Sequence, residues 1–398
     1  MRISKIETMS CDAGWRAYYF VKLSTDEGVT GWSEFDEGFG SPGVSQVIAK
    51  LAPLAEGIDI LDNERVFADL YARTRPAAGG VVGEGIGAIE NAILDAKAKA
   101  LGVPVYALLG GKVRDTVRCY WSHCASYHIN YPAFYEPAVR TLDDVKARGA
   151  AVRDKGFTAL KTNLFLPADG GGFRGWRPGV SAPYYPERNI DTPQLRAFRD
   201  FLEALRDGAG PDVDILLDLN FNVSMEGALK TLRMLDDFPL LWVEIDMPSP
   251  EALAYVRQHS RHPISSCETL FGGRQLLPYL RNYAVDAAII DVPWNGIWQS
   301  MKMASLAEIH EVNVAPHNFY GHLCTMMAAH FSAAVPNLRI METDQDRLAW
   351  DHEFHTHLPE FRNGHLVVPD RPGWGTEPIE EAIKARPPTG PGFFLSRR

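Results

Sequence analysis

The chain has 398 residues, of which 46% are hydrophobic and 23% charged, and its formal net charge is −10 at pH 7. That length suffices for a barrel of about 250 residues plus a further domain, and the lack of a basic run argues against a nucleic-acid partner. Five cysteines without a CxxC pair argue against a disulfide framework or a zinc knuckle. No apolar leader or membrane-spanning stretch is evident, so the sequence predicts a cytoplasmic protein without a membrane partner.

The first 115 residues are predicted to form an α+β domain. Residues 17–23 and 29–34 are rich in β-forming residues and flank a turn, which is typical of a hairpin. Residues 86–100 repeat apolar side chains at spacings of three and four, which predicts a helix that ends near Gly102. The Gly110-Gly111 pair then marks a linker to the next domain.

Residues 116–345 repeat a short apolar run that ends on a polar side chain. After two strands predicted at 117–122 and 158–163, the runs recur about every 25 residues, roughly the length of a strand, a helix and two loops. This pattern predicts a (β/α)8 barrel of buried parallel strands, whose C-terminal ends would carry the chemistry. The polar groups at those ends are Asp218, Glu244, Glu268, Asp291, His317 and Glu342.

Two further segments complete the predicted α/β architecture. Residues 166–191 form a long loop rich in glycine, proline, tyrosine and arginine after the second strand, and we expect it to act as a lid over the site. A surface insertion without contact to the site is the alternative. Residues 346–398 include a strand-like run at 364–368 and are expected to pack back onto the N-terminal capping domain.

Three acids on neighbouring strands point to a metal site. Asp218, Glu244 and Glu268 would repel one another at the barrel mouth, and a divalent cation would relieve that repulsion. Ligation by oxygen alone favours Mg²⁺, with Mn²⁺ as the alternative. Three separate structural acids, each satisfied by a salt bridge, are the competing interpretation.

His317 and Asp291 follow adjacent strands, which places them within hydrogen-bonding range. The carboxylate would fix the imidazole tautomer and raise its basicity, as in a catalytic acid–base pair. Glu342, at the end of the eighth predicted strand, could donate to a substrate oxygen or offset charge near it.

Taken in order, these motifs resemble the enolase superfamily, and within it the mandelate racemase group. The resemblance covers essentially the whole chain, including Gly31-Trp-Ser-Glu34, residues 88–106, Gly110-Gly111 and all six strand-end groups. It implies an α+β capping domain on a modified barrel and removal of a proton next to a carboxylate, giving an enediolate stabilised by Mg²⁺. Members of the group often assemble symmetrically, so the resemblance also implies a homo-oligomer.

Carried over by position, Asp218, Glu244 and Glu268 resemble the metal ligands, and His317 with Asp291 resembles the acid–base pair. Glu342 matches the residue beside the substrate carboxylate. Lys161 matches the first lysine of the group's Lys-x-Lys motif, and Asn220 matches a polar residue near the metal. The second lysine is replaced by Asn163, which cannot take a proton. Ile245-Asp246 replaces the usual Glu-Pro, so Asp246 could compete as a ligand.

These departures remove the familiar second acid–base group. It could come from the long loop, where Tyr184, Tyr185, Arg174 and Arg177 are candidates, since mannonate-type dehydratases of the group use a loop tyrosine and arginine. Otherwise His317 acts alone as base and then acid. The candidate substrate-binding residues are Asn163, Asn220, Arg174, Arg177 and Trp294.

The sequence therefore predicts a Mg²⁺-dependent lyase that dehydrates a sugar acid, an aldonate or aldarate, to a 2-keto-3-deoxy acid. An epimerase, racemase or cycloisomerase that uses the same enediolate is the first alternative. A barrel that binds a sugar acid without converting it is the second.

Overall fold

The computed structural model describes residues 1–38, 41–178 and 190–389. The capping domain opens with an antiparallel sheet of β1 (Ile3–Ala13), β2 (Arg16–Thr25) and β3 (Thr30–Phe35), in that order. Its helices are α1 (Val44–Ala55), α2 (Asn63–Thr74), α3 (Gly80–Ala100) and α4 (Val105–Leu108).

Helix α3 joins this domain to the rest of the molecule, and most of its residues are buried. A side chain at Gly87 would place its first carbon 2.4 Å from the backbone oxygen of Trp294, so glycine is what lets the two units approach. Asp95 accepts hydrogen bonds from the backbone N–H groups of Trp32 and Trp374, which fixes the helix to both the capping sheet and the C-terminal segment.

The remaining elements build the barrel and the C-terminal segment. The strands are β4 (Thr116–Ser122), β5 (Ala159–Asn163), β6 (Phe165–Pro167), β7 (Phe173–Gly175), β8 (Asp214–Asp218), β9 (Trp242–Glu244), β10 (Ile264–Ser266), β11 (Ala287–Asp291), β12 (Asn313–His317), β13 (Met341–Asp344), β14 (Phe361–Arg362) and β15 (His365–Val367). The helices are α5 (Ser126–Asn130), α6 (Leu142–Asp154), α7 (Thr192–Ala209), α8 (Met225–Met234), α9 (Pro250–Gln258), α10 (Gly272–Arg281), α11 (Val292–Asn295), α12 (Ile297–Ile309), α13 (His322–Ala334) and α14 (Glu380–Ala385).

Within the described residues, eight parallel strands form the barrel. They run in the order β4, β5, β8, β9, β10, β11, β12, and β13 pairs in parallel with β4. On its other side, β13 neighbours β12: Leu338, just before β13, forms a parallel bridge with Val314 of β12. The α/β fold class predicted from the sequence, a modified barrel with an α+β cap, is confirmed.

The C-terminal segment contacts both units. Strand β15 adds to the barrel by pairing antiparallel with β4. The indole N–H of Trp374 donates to the backbone oxygen of Trp32. The backbone N–H of Asp12 donates to the backbone oxygen of Arg386. Among the described residues, no helix is both long and apolar enough to cross a membrane.

One strand boundary differs from the prediction in a way that matters for the site. The eighth barrel strand was expected to end at Glu342, but β13 continues to Asp344. Both acids are buried because distant partners compensate them, Lys161 for Glu342 and Arg16 for Asp344. The strand predicted from the sequence therefore ended two residues too early.

Candidate active site

A cavity of about 370 Å³ lies at the C-terminal ends of the barrel strands. Trp15 and Ser41 of the capping domain contribute to its wall, so the cavity is shared between the two units. Its volume is in the range of small-molecule sites. The predicted site residues that line it are Lys161, Asn163, Arg177, Asp218, Asn220, Glu268, Trp294, His317 and Glu342.

The predicted His–Asp pair is formed. His317 and Asp291 are register partners at the ends of β12 and β11, and Nδ1 of the imidazole lies 2.6 Å from Oδ2 of Asp291. Asp291 is fully buried and also accepts hydrogen bonds from the Trp294 backbone N–H at 2.7 Å and the Tyr320 hydroxyl at 2.5 Å. Because these hydrogen bonds fix Asp291 opposite Nδ1, the carboxylate orients the imidazole and leaves Nε2 as the nitrogen for proton transfer.

Tyr320 was not identified from the sequence. It lies in the turn between β12 and α13, outside any strand-end pattern, and its role is visible only through its hydrogen bond to Asp291. No periodic signal in the sequence could have found it.

Neighbouring carboxylates control the protonation of His317. Burial alone would lower the pKa of the imidazole, but Glu268, whose Oε2 lies 3.4 Å from Nε2, together with Asp291 raises that pKa well above its usual range. A cation held by Glu268 would offset that attraction and make Nε2 available as a proton acceptor.

Lys161 is a buried cation surrounded by acids. Its Nζ lies 3.0 Å from Glu244, 3.0 Å from Glu342 and 3.5 Å from Asp218. Burial opposes the charge, yet Glu244 and Glu342 raise the pKa of the ammonium well above its usual range. The surroundings of Lys161 in this structure therefore favour its charged form.

Glu342 is correspondingly held ionised. It accepts hydrogen bonds from the hydroxyl of Ser122 and, at 2.8 Å, from the backbone N–H of Asn318. Burial would raise the pKa of this carboxyl, but Lys161 and His317 hold it well below its usual range. Its side chain is thus a fixed negative charge at the cavity wall.

The acids that can share one ion differ in one member from the predicted set. Within the described parts of the chain, Glu244, Asp246 and Glu268 each offer an oxygen within 4.8 Å of the others. Asp218 lines the same cavity, but one of its oxygens accepts the Asn220 backbone N–H and the other pairs with Lys161.

The residues of this cluster fit a divalent cation. Among the described side chains, Glu244 Oε1 and Asp246 Oδ2 are buried oxygens without a hydrogen-bond partner, while Oδ1 of Asp246 is held by Ser266. Burial, followed by repulsion from neighbours that include Asp218, raises the pKa of Asp246 to about 6 and contributes to raising that of Glu244 to about 8. Bound Mg²⁺ would satisfy the unpaired oxygens and relieve this repulsion.

The third metal ligand can be tested directly. We expect Asp246→Asn to weaken Mn²⁺ or Mg²⁺ binding by about tenfold or more, because it removes a positioned anionic ligand. Isothermal titration measures the affinity, and Asp344→Asn, which changes a buried acid outside the cluster, is the matched control. If Asp218→Asn weakens binding and Asp246→Asn does not, the set predicted from the sequence holds the ion.

The remaining predicted residues fall into three groups. Asn163 accepts from the Ser126 hydroxyl and donates to Oδ1 of Asn220, so the two amides form one polar edge of the cavity. Arg174 is exposed and not among the lining residues, because alternation along β7 turns its side chain outward between Phe173 and Gly175. Tyr184 and Tyr185 lie outside the described residues, as does much of the predicted lid.

Two family profiles match the chain. The profile described as "Mandelate racemase / muconate lactonizing enzyme, N-terminal domain" matches residues 6–110. The profile described as "Enolase C-terminal domain-like" matches residues 144–382. Together they cover the capping domain, most of the barrel and part of the C-terminal segment.

Individual relatives carry two kinds of name. A D-xylonate dehydratase from Haloferax volcanii is 27% identical and covers 98% of this chain and 90% of its own. A D-mannonate dehydratase from Rhizorhabdus wittichii is 28% identical, with coverage of 94% and 92%. A crystal structure from Burkholderia xenovorans, with magnesium and fumarate bound and provisionally named an L-alanine-DL-glutamate epimerase, is 61% identical, has a TM-score of 0.97 and covers 99% of this chain and 98% of its own.

Proposed function

The chain belongs to the enolase superfamily, and on that basis we propose that it is a Mg²⁺-dependent dehydratase of a sugar acid. The substrate would be a 2,3-dihydroxy carboxylate and the product a 2-keto-3-deoxy acid. Bound Mg²⁺ would supply positive charge where negative charge develops on the substrate carboxylate. Glu244 and Glu268, which belong to both the predicted and the observed acid sets, would hold it together with Asp246 or Asp218.

The observation that carries this proposal is that the site contains one oriented base, His317, together with a lysine, Lys161, whose surroundings favour its charged form. His317 is oriented by Asp291, whereas Lys161 lies within 3.5 Å of three carboxylates, which favour its charged form. Asn163 replaces a second base on β5. Removal of the α-proton from one face and loss of the neighbouring hydroxyl fit this arrangement.

Each residue then has a defined task. The Nε2 atom of His317 takes the proton from carbon 2, and Asp291 stabilises the imidazolium through Nδ1. Lys161 supplies positive charge beside Asp218, Glu244 and Glu342 and so offsets the negative charge of these acids. Trp294, whose ring centroid lies 5.9 Å from that of His317, helps to exclude water from the reacting face.

Epimerisation is the second candidate, because the Burkholderia xenovorans relative carries an epimerase name. Inverting a stereocentre requires a proton donor on the face opposite the base. The amide of Asn163 is not an acid of useful strength, and the carboxylates around Lys161 hold the pKa of its ammonium well above its usual range, which makes it a poor proton donor.

A substrate panel tests the proposal. We would incubate the Mg²⁺-loaded protein with D-xylonate, D-galactonate, D-mannonate, other mono- and diacid sugars and L-alanyl-glutamate, and follow both the 2-keto product and inversion of the dipeptide. Turnover of a sugar acid that EDTA abolishes supports the dehydratase. Inversion of the dipeptide without dehydration of any sugar acid would replace it with the epimerase.

A further inference from the structure

A second imidazole–carboxylate pair borders the same cavity. His123 follows β4 directly, and its Nδ1 lies 3.0 Å from Oδ1 of Asp344, the last residue of β13. Ser122 and Asp344 are register partners in the parallel pair β4–β13, so the sheet itself brings the two groups together. Asp291 and His317 are themselves register partners at the ends of β11 and β12, whereas His123 lies one residue beyond the register partner of Asp344.

The carboxylate of this second pair is held as firmly as Asp291. Asp344 is almost completely buried, and its Oδ2 accepts a hydrogen bond from the Tyr127 hydroxyl at 2.6 Å and lies 3.4 Å from the guanidinium of Arg16. The ring of His123 also stacks on Tyr127, with centroids 5.0 Å apart and planes 13° apart. With Nδ1 directed at Asp344, Nε2 is the nitrogen left for a ligand.

The backbone directs this imidazole toward the cavity. His123 has a φ of +52°, in the left-handed region that a residue with a side chain rarely adopts. Such conformations persist where the surrounding structure enforces them, and they are concentrated at active sites. His123 lines the cavity, and its side chain keeps 20% of its surface exposed.

The two histidines face the same space. The Phe319 ring centroid lies 5.1 Å from that of His317 and 5.9 Å from that of His123. Strand β13, which carries Glu342, separates the strands from which the two imidazoles project. Both imidazoles line this cavity, so one bound substrate can contact the two of them.

We propose that His123, positioned by Asp344, is the acid that protonates the departing hydroxyl. This inference rests on the proposed dehydration. His317 takes the proton from carbon 2; the C3–O bond then breaks, and the leaving oxygen takes a proton from Nε2 of His123 to depart as water. The resulting enol becomes the 2-keto-3-deoxy acid, and the two imidazoles return to their starting states by exchanging one proton each with solvent.

His123→Asn is a suitable test, because asparagine is among the residues that tolerate the left-handed conformation. With the sugar acid that the wild-type protein dehydrates, we expect product formation to fall by about 10²- to 10³-fold. Exchange of the carbon-2 proton with D₂O should continue, since His317 is intact. Loss of fluoride from the corresponding 3-deoxy-3-fluoro acid should stay near the wild-type rate, because fluoride leaves without a proton.

Each outcome is decisive. Product formation within about threefold of wild type, or an equal fall in dehydration, exchange and fluoride loss in a folded variant, would overturn the role of His123. Asp344→Asn should reproduce the selective loss of dehydration more weakly, as expected of a positioning residue. If the wild-type protein neither dehydrates nor exchanges any acid of the panel, the proposed function fails instead.

Discussion

Replacing His317 with asparagine is expected to lower kcat for the dehydration by about 10³- to 10⁴-fold, the effect of removing a general base. The same change should abolish exchange of the carbon-2 proton with solvent, because Nε2 of this imidazole is the group placed to remove it. The fold should survive, since Asp291 keeps its hydrogen bonds from Tyr320 and the Trp294 backbone. Steady-state kinetics and proton NMR in D₂O measure the two effects.

The matched control is His259→Asn, which changes an exposed histidine at the end of α9 on the outside of the barrel. It should leave kcat and exchange unchanged. A His317→Asn variant that kept either activity within about tenfold of wild type would remove His317 from the role of base.

Replacing Lys161 with methionine is expected to destabilise the protein by about 3 kcal/mol and to abolish turnover. The methionine retains most of the buried volume but leaves Asp218, Glu244 and Glu342 without their shared cation. Breaking a buried charge network in this way exposes each acid to the full cost of its burial. Urea unfolding, with and without added Mg²⁺, measures the loss.

Lys302→Met is the matched control for this variant. Lys302 also pairs with a glutamate, Glu64, but both side chains are about half exposed, so solvent screens the pair and little stability should be lost. Equal destabilisation of the two variants would show that the buried network around Lys161 is not special.

The sequence was most informative where apolar runs end cleanly. Strands β11 and β12 occupy the predicted residues, because an uninterrupted buried run precedes the polar side chain in each. Parallel pairing then places Asp291 beside His317 with no further information. The metal region was predicted in outline for the same reason, with Asp246 recognised as a competing ligand.

The second His–Asp pair was invisible in the sequence for a physical reason. Strand β13 contains two acids, Glu342 and Asp344. Because charged residues are seldom buried, the first of them was taken as the end of the strand. Their burial depends on Lys161 and Arg16, which are remote in the sequence. Without Asp344 as a strand-end residue, no pattern in the sequence connected His123 with an acid.

A partner remote in the chain also explains why Tyr320 was not predicted, whereas the position of Arg174 was missed because residues 166–191 were predicted as a loop without strands. Tyr320 acts through a side chain that comes from another strand, Asp291. Arg174 belongs to a short hairpin, β6–β7, whose alternation faces it outward.

Exchange of the carbon-2 proton in D₂O tests most directly whether His317 removes this proton from a sugar acid when Mg²⁺ is bound. Mg²⁺-loaded wild-type protein, its EDTA-treated form and His317→Asn would be incubated with D-xylonate, D-galactonate and D-mannonate, and followed by proton NMR. We expect at least one acid to lose its carbon-2 proton and to yield a 2-keto-3-deoxy product with the Mg²⁺-loaded wild-type protein alone. Exchange that persists without metal or without His317 would contradict it.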